Sequence, residues 1–400
     1  MSYLSDYMFY SSENAANKKL HKWAGLFVMS VALSRRCWYQ QGDWRIYPSM
    51  YVFFVGDPGD CKTVAMSLAQ KLVHDFTTVE IAPDQVTKES LAQFMGEPKN
   101  FKKMEVDGKK FDYMPVTVFA NELVDFLGPE PPNMIKFLTS MYDCKSSHRI
   151  STKNQGKDFI MGPYLTLLGC ITTETIDAFL AQRLITGGFS RRIIPVFTPG
   201  RGRAKAEPVM TPAHYEAKQR CADWCRELEK LSGPFIMSDE ARVFYRAWFD
   251  DVKEPQYFNT VNNIMKAWYG SKDTPLIKLG MWLSAADSLD MVIQKSHLVE
   301  ALAMLDEVEP DMLTLLGGGG RNELAPIIRR IERMIVESAQ PVTDKRIKLE
   351  LSNHATDDEI MLCLRHLVDV DSINERIHTN DRGTIRFYTQ NKHPNSAEPG

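Results

Sequence analysis

The chain has 400 residues, 44% of them apolar and 25% charged. That composition excludes a disordered, collagen-like or membrane-embedded polypeptide, and the length predicts two or three domains rather than one core. Lys and Arg total 48 against 51 Asp and Glu, a formal charge of −3, which excludes a protein that coats nucleic acid with a uniformly basic surface and confines polyanion contact to local patches.

In chain order, Leu20, Trp23, Ala24, Phe27, Val28, Val31 and Ala32 recur at helical spacing and predict a helix over about 14–36. At Trp23–Leu33 the apolar run is too short for the ~20 residues of a membrane span, and the polar N-terminus carries no signal-peptide pattern. A cytoplasmic protein without a membrane partner is expected. Trp38–Ile46 reads as a short hairpin around Gly42-Asp43. The unbroken run Met50–Val55 then predicts a strand buried on both faces, as in a parallel sheet. Further strands are expected at Val116–Ala120, Leu165–Cys170 and Arg192–Phe197. Helical patterns separate them at Val64–Phe76, Ser90–Met95, Glu122–Leu127, Met134–Tyr142 and Thr173–Ala181. Alternation of this kind indicates an α/β layer on a parallel sheet.

From Thr211 to Leu316 the pattern is nearly all helical, with elements at Tyr215–Leu231, Ser238–Asp250, Leu276–Leu289 and Ser296–Leu315. Cys221 and Cys225 share one face of the first of these, with His214 the one further ligand candidate near them. The seven cysteines are scattered among apolar neighbours, as core thiols of a reducing compartment are. Gly317–Gly320 has the composition of a linker. Three helices follow, at Asn322–Ser338, Thr343–Leu351 and Thr356–Val368, the last opened by a Thr356/Glu359 capping box. With strands at Ser372–His378 and Thr384–Thr389, they outline a winged helix-turn-helix. The expected division is a helical segment at 1–45, the α/β core at 46–203 and a helical lid at 204–316. The linker at 317–320, the small domain at 321–390 and a disordered tail at 391–400 complete it.

The chemistry concentrates after the first core strand. Gly56-Asp57-Pro58-Gly59-Asp60-Cys61-Lys62-Thr63 runs into the helix at Val64 with the spacing of a P-loop, G-x-x-x-x-G-K-[ST], Cys61 replacing its last glycine. Small residues let backbone N–H groups curl around a β-phosphate at a helix N-terminus. Lys62 offers a cation to the β/γ oxygens and Thr63 a hydroxyl to Mg²⁺. The strand Val116–Ala120 ends in Asn121-Glu122, where Glu122 suits a general base or water-orienting residue and Asn121 a ligand to metal-bound water without charge. The alternative is that Glu122 caps the following helix. After the third strand, Thr172 and Thr173 fit either a contact to a γ-phosphate or a helix cap. Gly187-Gly188-Phe189-Ser190-Arg191-Arg192 suits an arginine finger acting on a neighbouring subunit, or a surface loop held by a salt bridge.

These motifs together resemble the AAA+ ATPases of the minichromosome maintenance helicase branch. The surrounding pattern is similar to phage and mobile-element replication proteins, initiator-like or primase/helicase-associated. Tyr47-Pro48-Ser49-Met50-Tyr51, Leu138-Thr139-Ser140-Met141-Tyr142-Asp143 and Gly187–Arg191 carry that likeness, over roughly 14–200 and loosely to 315. The resemblance implies a P-loop NTPase core with an all-α lid and a C-terminal winged helix, with ATP and Mg²⁺ as cofactors. It also implies a ring, a hexamer by that likeness, acting on single-stranded or origin DNA with other replication proteins as partners. By it Arg191 is the finger, Thr172 stands at a first sensor where the branch has Asn, and Lys272 and Lys278 are candidates for a second sensor. DNA contacts are expected from Lys153 and Lys157 near a hairpin tip at Ile150–Ile160 and from Arg376, Arg382 and Arg386 on the wing. Lys99, Lys102, Lys103, Lys109 and Lys110 form a second basic patch. The alternative within these motifs is a nucleotide-gated helicase loader or adaptor that binds ATP and a protein partner without unwinding DNA.

Overall fold

The computed structural model describes residues 2–390 apart from 78, 84, 107, 153–155, 177–187, 199, 203–204, 254–267, 319–324, 337, 339, 353–354, 370–371 and 381–382. Contacts divide the chain into two units, Met1–Gly317 and Gly318–Gly400.

The first unit begins with helices α1 (Tyr3–Tyr10) and α2 (Lys18–Leu33) and the hairpin β1 (Cys37–Gln41) and β2 (Trp44–Ile46). Tyr3, Tyr7 and Tyr10 bury one stripe of α1. The Tyr7 ring lies so close to Gly25 of α2 that a Cβ there would meet its Cδ1 at 2.5 Å, and Tyr3 donates to the Gly25 carbonyl at 3.0 Å. Gly25 is thus fixed by close packing rather than by backbone freedom.

The α/β layer comprises β3 (Tyr51–Val55), α3 (Lys62–Phe76), β4 (Glu80–Ile81) and α4 (Lys88–Gly96), then β5 (Lys102–Val106) and β6 (Lys109–Ala120). It continues through α5 (Leu123–Leu127), α6 (Pro131–Tyr142), the hairpin β7 (Ser147–Thr152) and β8 (Gly156–Met161), β9 (Pro163–Ile171) and β10 (Ile193–Phe197). The main path of the sheet is β10-β3-β9-β6-β4, and every neighbouring pair on it is parallel. The α/β class with a parallel sheet expected from the alternating pattern is the one the chain adopts.

Period-2 alternation assigns each side chain of a strand to one face. Tyr51, Phe53 and Val55 join Val116, Val118, Leu165 and Leu167 under α4, α5 and α6. Val52 and Phe54 join Phe119, Leu168 and Ile194 under α2 and α3. Burial on both faces explains why these strands read as continuous apolar runs.

The helices α7 (Pro212–Glu229), α8 (Asp239–Lys253), α9 (Asp273–Asp287) and α10 (Lys295–Gly318), with β11 (Gly233–Met237) and β12 (Val292–Ile293), follow. They share the apolar cluster of α1, α2 and α3. β11 pairs in parallel with β1 across 196 positions, closing a four-stranded sheet β12-β11-β1-β2. The 1–45 and 204–316 segments therefore build one body. Among the described residues, no helix is long and apolar enough to cross a membrane.

The second unit contains α11 (Ala325–Val336), β13 (Val342–Thr343), α12 (Asp344–Leu351), α13 (Asp357–Asp369), β14 (Ile373–Asn380) and β15 (Gly383–Gln390). Its sheet, β13-β15-β14, is antiparallel. Ile331, Ile347, Ile360, Leu364 and Tyr388 lie in its core. The capping box at α13 is formed: Thr356 N–H donates to Glu359 Oε2 at 2.8 Å, and Glu359 N–H to Thr356 Oγ1 at 3.4 Å.

Candidate active site

In an open parallel sheet, ligands bind beyond the carboxyl ends of the strands where the strand order reverses. Here β3 is followed in sequence by β4 at one edge, while β10 flanks it on the other side. The loop 56–61 leaves β3 at that reversal. Gly56 N–H donates to Ile171 O at the end of β9 (3.3 Å), and Thr198 N–H beyond β10 donates to Val55 O (2.9 Å). A Cβ on Gly56 would meet Thr198 Cγ2 at 2.1 Å and Asp60 Oδ2 at 2.7 Å, so only glycine fits. Gly59 has φ +93° and Cys61 φ +58°. Cys61 therefore occupies the left-handed turn that a glycine would supply without strain, and its carbonyl accepts the first helical bonds from Val64 and Ala65.

Several polar groups of the loop bond within it. Lys62 Nζ is buried and donates to the carbonyls of Gly56 (2.7 Å) and Asp57 (2.8 Å). Asp57 N–H donates to Asp60 Oδ2 at 2.8 Å. Pro58, Gly59 and Thr63 are exposed at the mouth, and Val64 packs back on the core. The Asp60 carboxylate thus takes a backbone N–H of the loop that leads into a 15-residue helix, and backbone N–H groups ahead of a helix N-terminus are donors that bind anions.

Phe53, Gly169 and Ala120 lie in register across β3, β9 and β6. Asn121 and Glu122 therefore emerge two strands, about 10 Å, from the loop. Glu122 opens α5 without a side-chain cap bond and is exposed, so capping does not use its carboxylate. It lines an open cavity of about 450 Å³ with Gln85, Asn121 and Asp125. Between loop and cavity lies Cys170 of β9. Burial pushes its thiol up to about 12, the nearby Lys62 ammonium opposing that rise and the Glu122 carboxylate adding to it.

Thr172, just beyond the end of β9, accepts from Thr175 N–H at 3.3 Å and shares a hydroxyl contact with Thr175 at 2.7 Å. Its side chain caps the turn that begins at Thr173. Thr173 Oγ1 is buried without a partner.

Arg191 is not at this end of the sheet. It precedes β10, whose first residue pairs with Tyr51, the first of β3, so it stands at the amino edge. Its described neighbours in the turn are tied down. Phe189 is buried against Tyr51 and Phe53. Arg192 Nη1 donates to Gly188 O (2.6 Å), and its Nη2 contacts both Asp143 oxygens (3.2 and 3.1 Å). Arg191 itself is exposed.

Neither second-sensor candidate is near the loop. Lys272 pairs with Asp306 (2.6 Å) and Glu309. Lys278 donates to Ser49 O (2.7 Å), ahead of β3. His214 is occupied by Thr211 and Ser12.

The basic patches differ in charge balance. Lys103 faces Asp112 and Lys110 faces Glu105 across β5 and β6, while Lys99 pairs with Glu97. Lys102 and Lys109 face Tyr113 and Val106, so acids offset only part of that surface's positive charge. β7 and β8 form the expected hairpin. Lys153 lies outside the described residues. Lys157 is on β8 opposite Ser151. In the second unit Arg376 is exposed, Arg386 is held by Glu375 (2.7 Å), and Arg382 lies outside the described residues.

Gln85, Asp125 and Thr198 complete the site without having been singled out from sequence. Asp125 stands three residues after Glu122, one helical turn away; Gln85 and Thr198 carry no local signal. Compared with known proteins, the chain matches no protein-family model and no curated protein sequence.

Proposed function

We propose that the chain is an ATP-hydrolysing motor or replication initiator that works as an oligomeric ring on DNA, with loop 56–63 as its P-loop and the second unit as a winged helix. The observation that carries this reading is the loop itself: a glycine-bounded turn at the strand-order reversal, ending on a helix N-terminus, with Lys62 inside it and Glu122 two strands away. The residues fit a Mg²⁺-bound nucleoside triphosphate. Gly56 leaves no room for a side chain above the turn, and Lys62 holds only neutral carbonyls, which it can exchange for phosphate oxygens. Mg²⁺, when bound, neutralises charge on those oxygens.

The protein groups then divide the work. Lys62 binds the β/γ oxygens, while Thr63 and Asn121 orient the metal's shell. Glu122 orients the attacking water and accepts its proton. Asp60 must release Asp57 N–H for that amide to face phosphate. Arg191, at the opposite edge of its own sheet, is suited to a neighbour's site rather than its own. The order of three helices and an antiparallel hairpin supports the winged-helix reading.

A second reading, a nucleotide-gated loader that does not unwind DNA, is favoured by Asn121, which brings no charge to the metal side. ATPase rate measured against protein concentration, with and without single-stranded DNA, tests the main reading. Lys62→Ala is expected to lower the rate at least about a hundredfold; a variant as active as the parent overturns it. ATP binding and hydrolysis without strand displacement selects the loader.

A further inference from the structure

Lys278 lies on α9, in the body shared with α1 and α2, away from the loop and Glu122. It is 3% exposed. Among the described residues no carboxylate forms an ion pair with it; its Nζ donates to the Ser49 carbonyl and stands 3.7 Å from the centroid of the Tyr142 ring. Burial pulls its pKa down to about 8. An unpaired ammonium in such a place is costly, and an apolar side chain of similar length would fill the space without that cost. The charge therefore calls for a use other than stability.

Its contact supplies one. The Tyr142 ring also carries the Arg192 guanidinium, 5.6 Å from its centroid. The residue after Tyr142, Asp143, binds that same guanidinium through both oxygens. Arg192 in turn holds Gly188 O, closing the turn in which Arg191 sits. A Cβ on Gly188 would meet Arg192 Nη1 at 3.2 Å, so this closure is tight. Lys278 fixes the ring at the end of α6, and Tyr142 and Asp143 together fix Arg192. Of the two adjacent arginines, one is thus spent on the chain's own structure.

We propose that Lys278 is a positioning residue that acts through Tyr142 and Arg192 to hold Arg191 in the geometry needed by a neighbouring subunit's site. The inference rests on the reading of Arg191 as a finger in trans. It assigns Lys278 to the finger rather than to sensing the chain's own nucleotide, and it links the 204–316 segment to the neighbour's catalysis.

Steady-state ATPase and equilibrium ATP binding of assembled full-length chains test it. Lys278→Met is expected to lower kcat about tenfold to a hundredfold, the scale of a misplaced catalytic group, with KM and ATP affinity within about twofold. Tyr142→Phe keeps the ring face and is expected to keep the rate; Tyr142→Leu is expected to match Lys278→Met. The decisive arm mixes subunits. Lys62→Ala subunits have a dead loop but an intact finger, and Lys278→Met subunits have the reverse, so mixed assemblies are expected to regain ATPase above either alone. A purely structural defect in Lys278→Met would not be rescued in this way. Should Lys278→Met fail to fold, Tyr142→Leu carries the same mixing test. An active parent whose Lys278→Met variant keeps full rate, or stays inactive when mixed, overturns the inference alone. A parent without ATPase overturns the reading of Arg191 and this inference with it.

Discussion

Cys61 stands where the loop needs a left-handed residue, at φ +58° and ψ 28°. For an L-residue that conformation costs about 1–2 kcal/mol, while glycine adopts it freely but loses about 0.5–1 kcal/mol in backbone entropy. Cys61→Gly is therefore expected to unfold at higher urea concentration than Cys61→Ala, by about 1 kcal/mol, because alanine keeps the strain. Equal stability of the two variants would remove the strain argument. His21 makes an independent prediction. It is 3% exposed, its ring nitrogens have no hydrogen-bond partner among the described residues, and burial pulls its pKa from 6.5 to about 4. The folded state holds it neutral while the unfolded chain protonates it, so the unfolded state binds more protons between those values. Stability is lost as pH falls through that window, by about 2–3 kcal/mol between pH 7.5 and 4.5. Carboxylates also titrate there, so the measured quantity is the difference in urea-unfolding free energy between parent and His21→Leu at the two pH values. An identical pH slope in both chains refutes the assignment.

At the scale of elements, the buried strands were legible because both faces of the sheet are covered and the apolar runs have no polar interruption. The apolar run Val116–Ala120 marks only five residues of a strand, yet β6 extends back to Lys109, since its first half pairs with β5 in an exposed ribbon whose charged residues carry no core signal. α1 escaped for a different reason: its buried stripe is three tyrosines, whose hydroxyls make the segment look polar while their rings fill the groove beside Gly25. β11 escaped because its partners, β1 and β12, come from distant parts of the chain, and strand pairing of that range leaves no local pattern. The site divides in the same way. Lys62, Thr63 and Glu122 were readable from spacing next to strands. The opposite placement of Arg191 was not, because it follows from the parallel register of β10 on β3, and Lys278 reaches Tyr142 only through tertiary packing.

The whole molecule places every residue proposed for nucleotide binding between Gly56 and Thr198, inside the unit that ends at Gly317. The unit from Gly318 has its own core, including Ile331, Ile335, Ile347, Ile360, Leu364 and Tyr388. β13, between its first two helices, pairs Val342 with Tyr388 near its end, so the segment is stitched to itself across about forty-five positions. A unit that closes its own sheet and buries its own apolar residues has the requirements for independent folding, although at this size its stability is expected to be only about 3–5 kcal/mol. Residues 1–317 and 318–400 expressed separately are therefore expected each to unfold cooperatively in urea. The 1–317 fragment is also expected to keep the ATP affinity of the full chain within about twofold, since a binding site enclosed in one unit gains no contact from the other. A 318–400 fragment that melts without a transition would mean that its core is insufficient alone. A 1–317 fragment that folds but loses ATP affinity would place part of the nucleotide site beyond Gly317. The net charge of −3 bears on DNA in the same terms. Arg386 is held by Glu375, and acids stand opposite Lys103 and Lys110 but not opposite Lys102 and Lys109; on the proposed reading, DNA affinity is expected to fall with salt with a slope near −0.9 for each phosphate engaged, and an affinity independent of salt would refute phosphate contact.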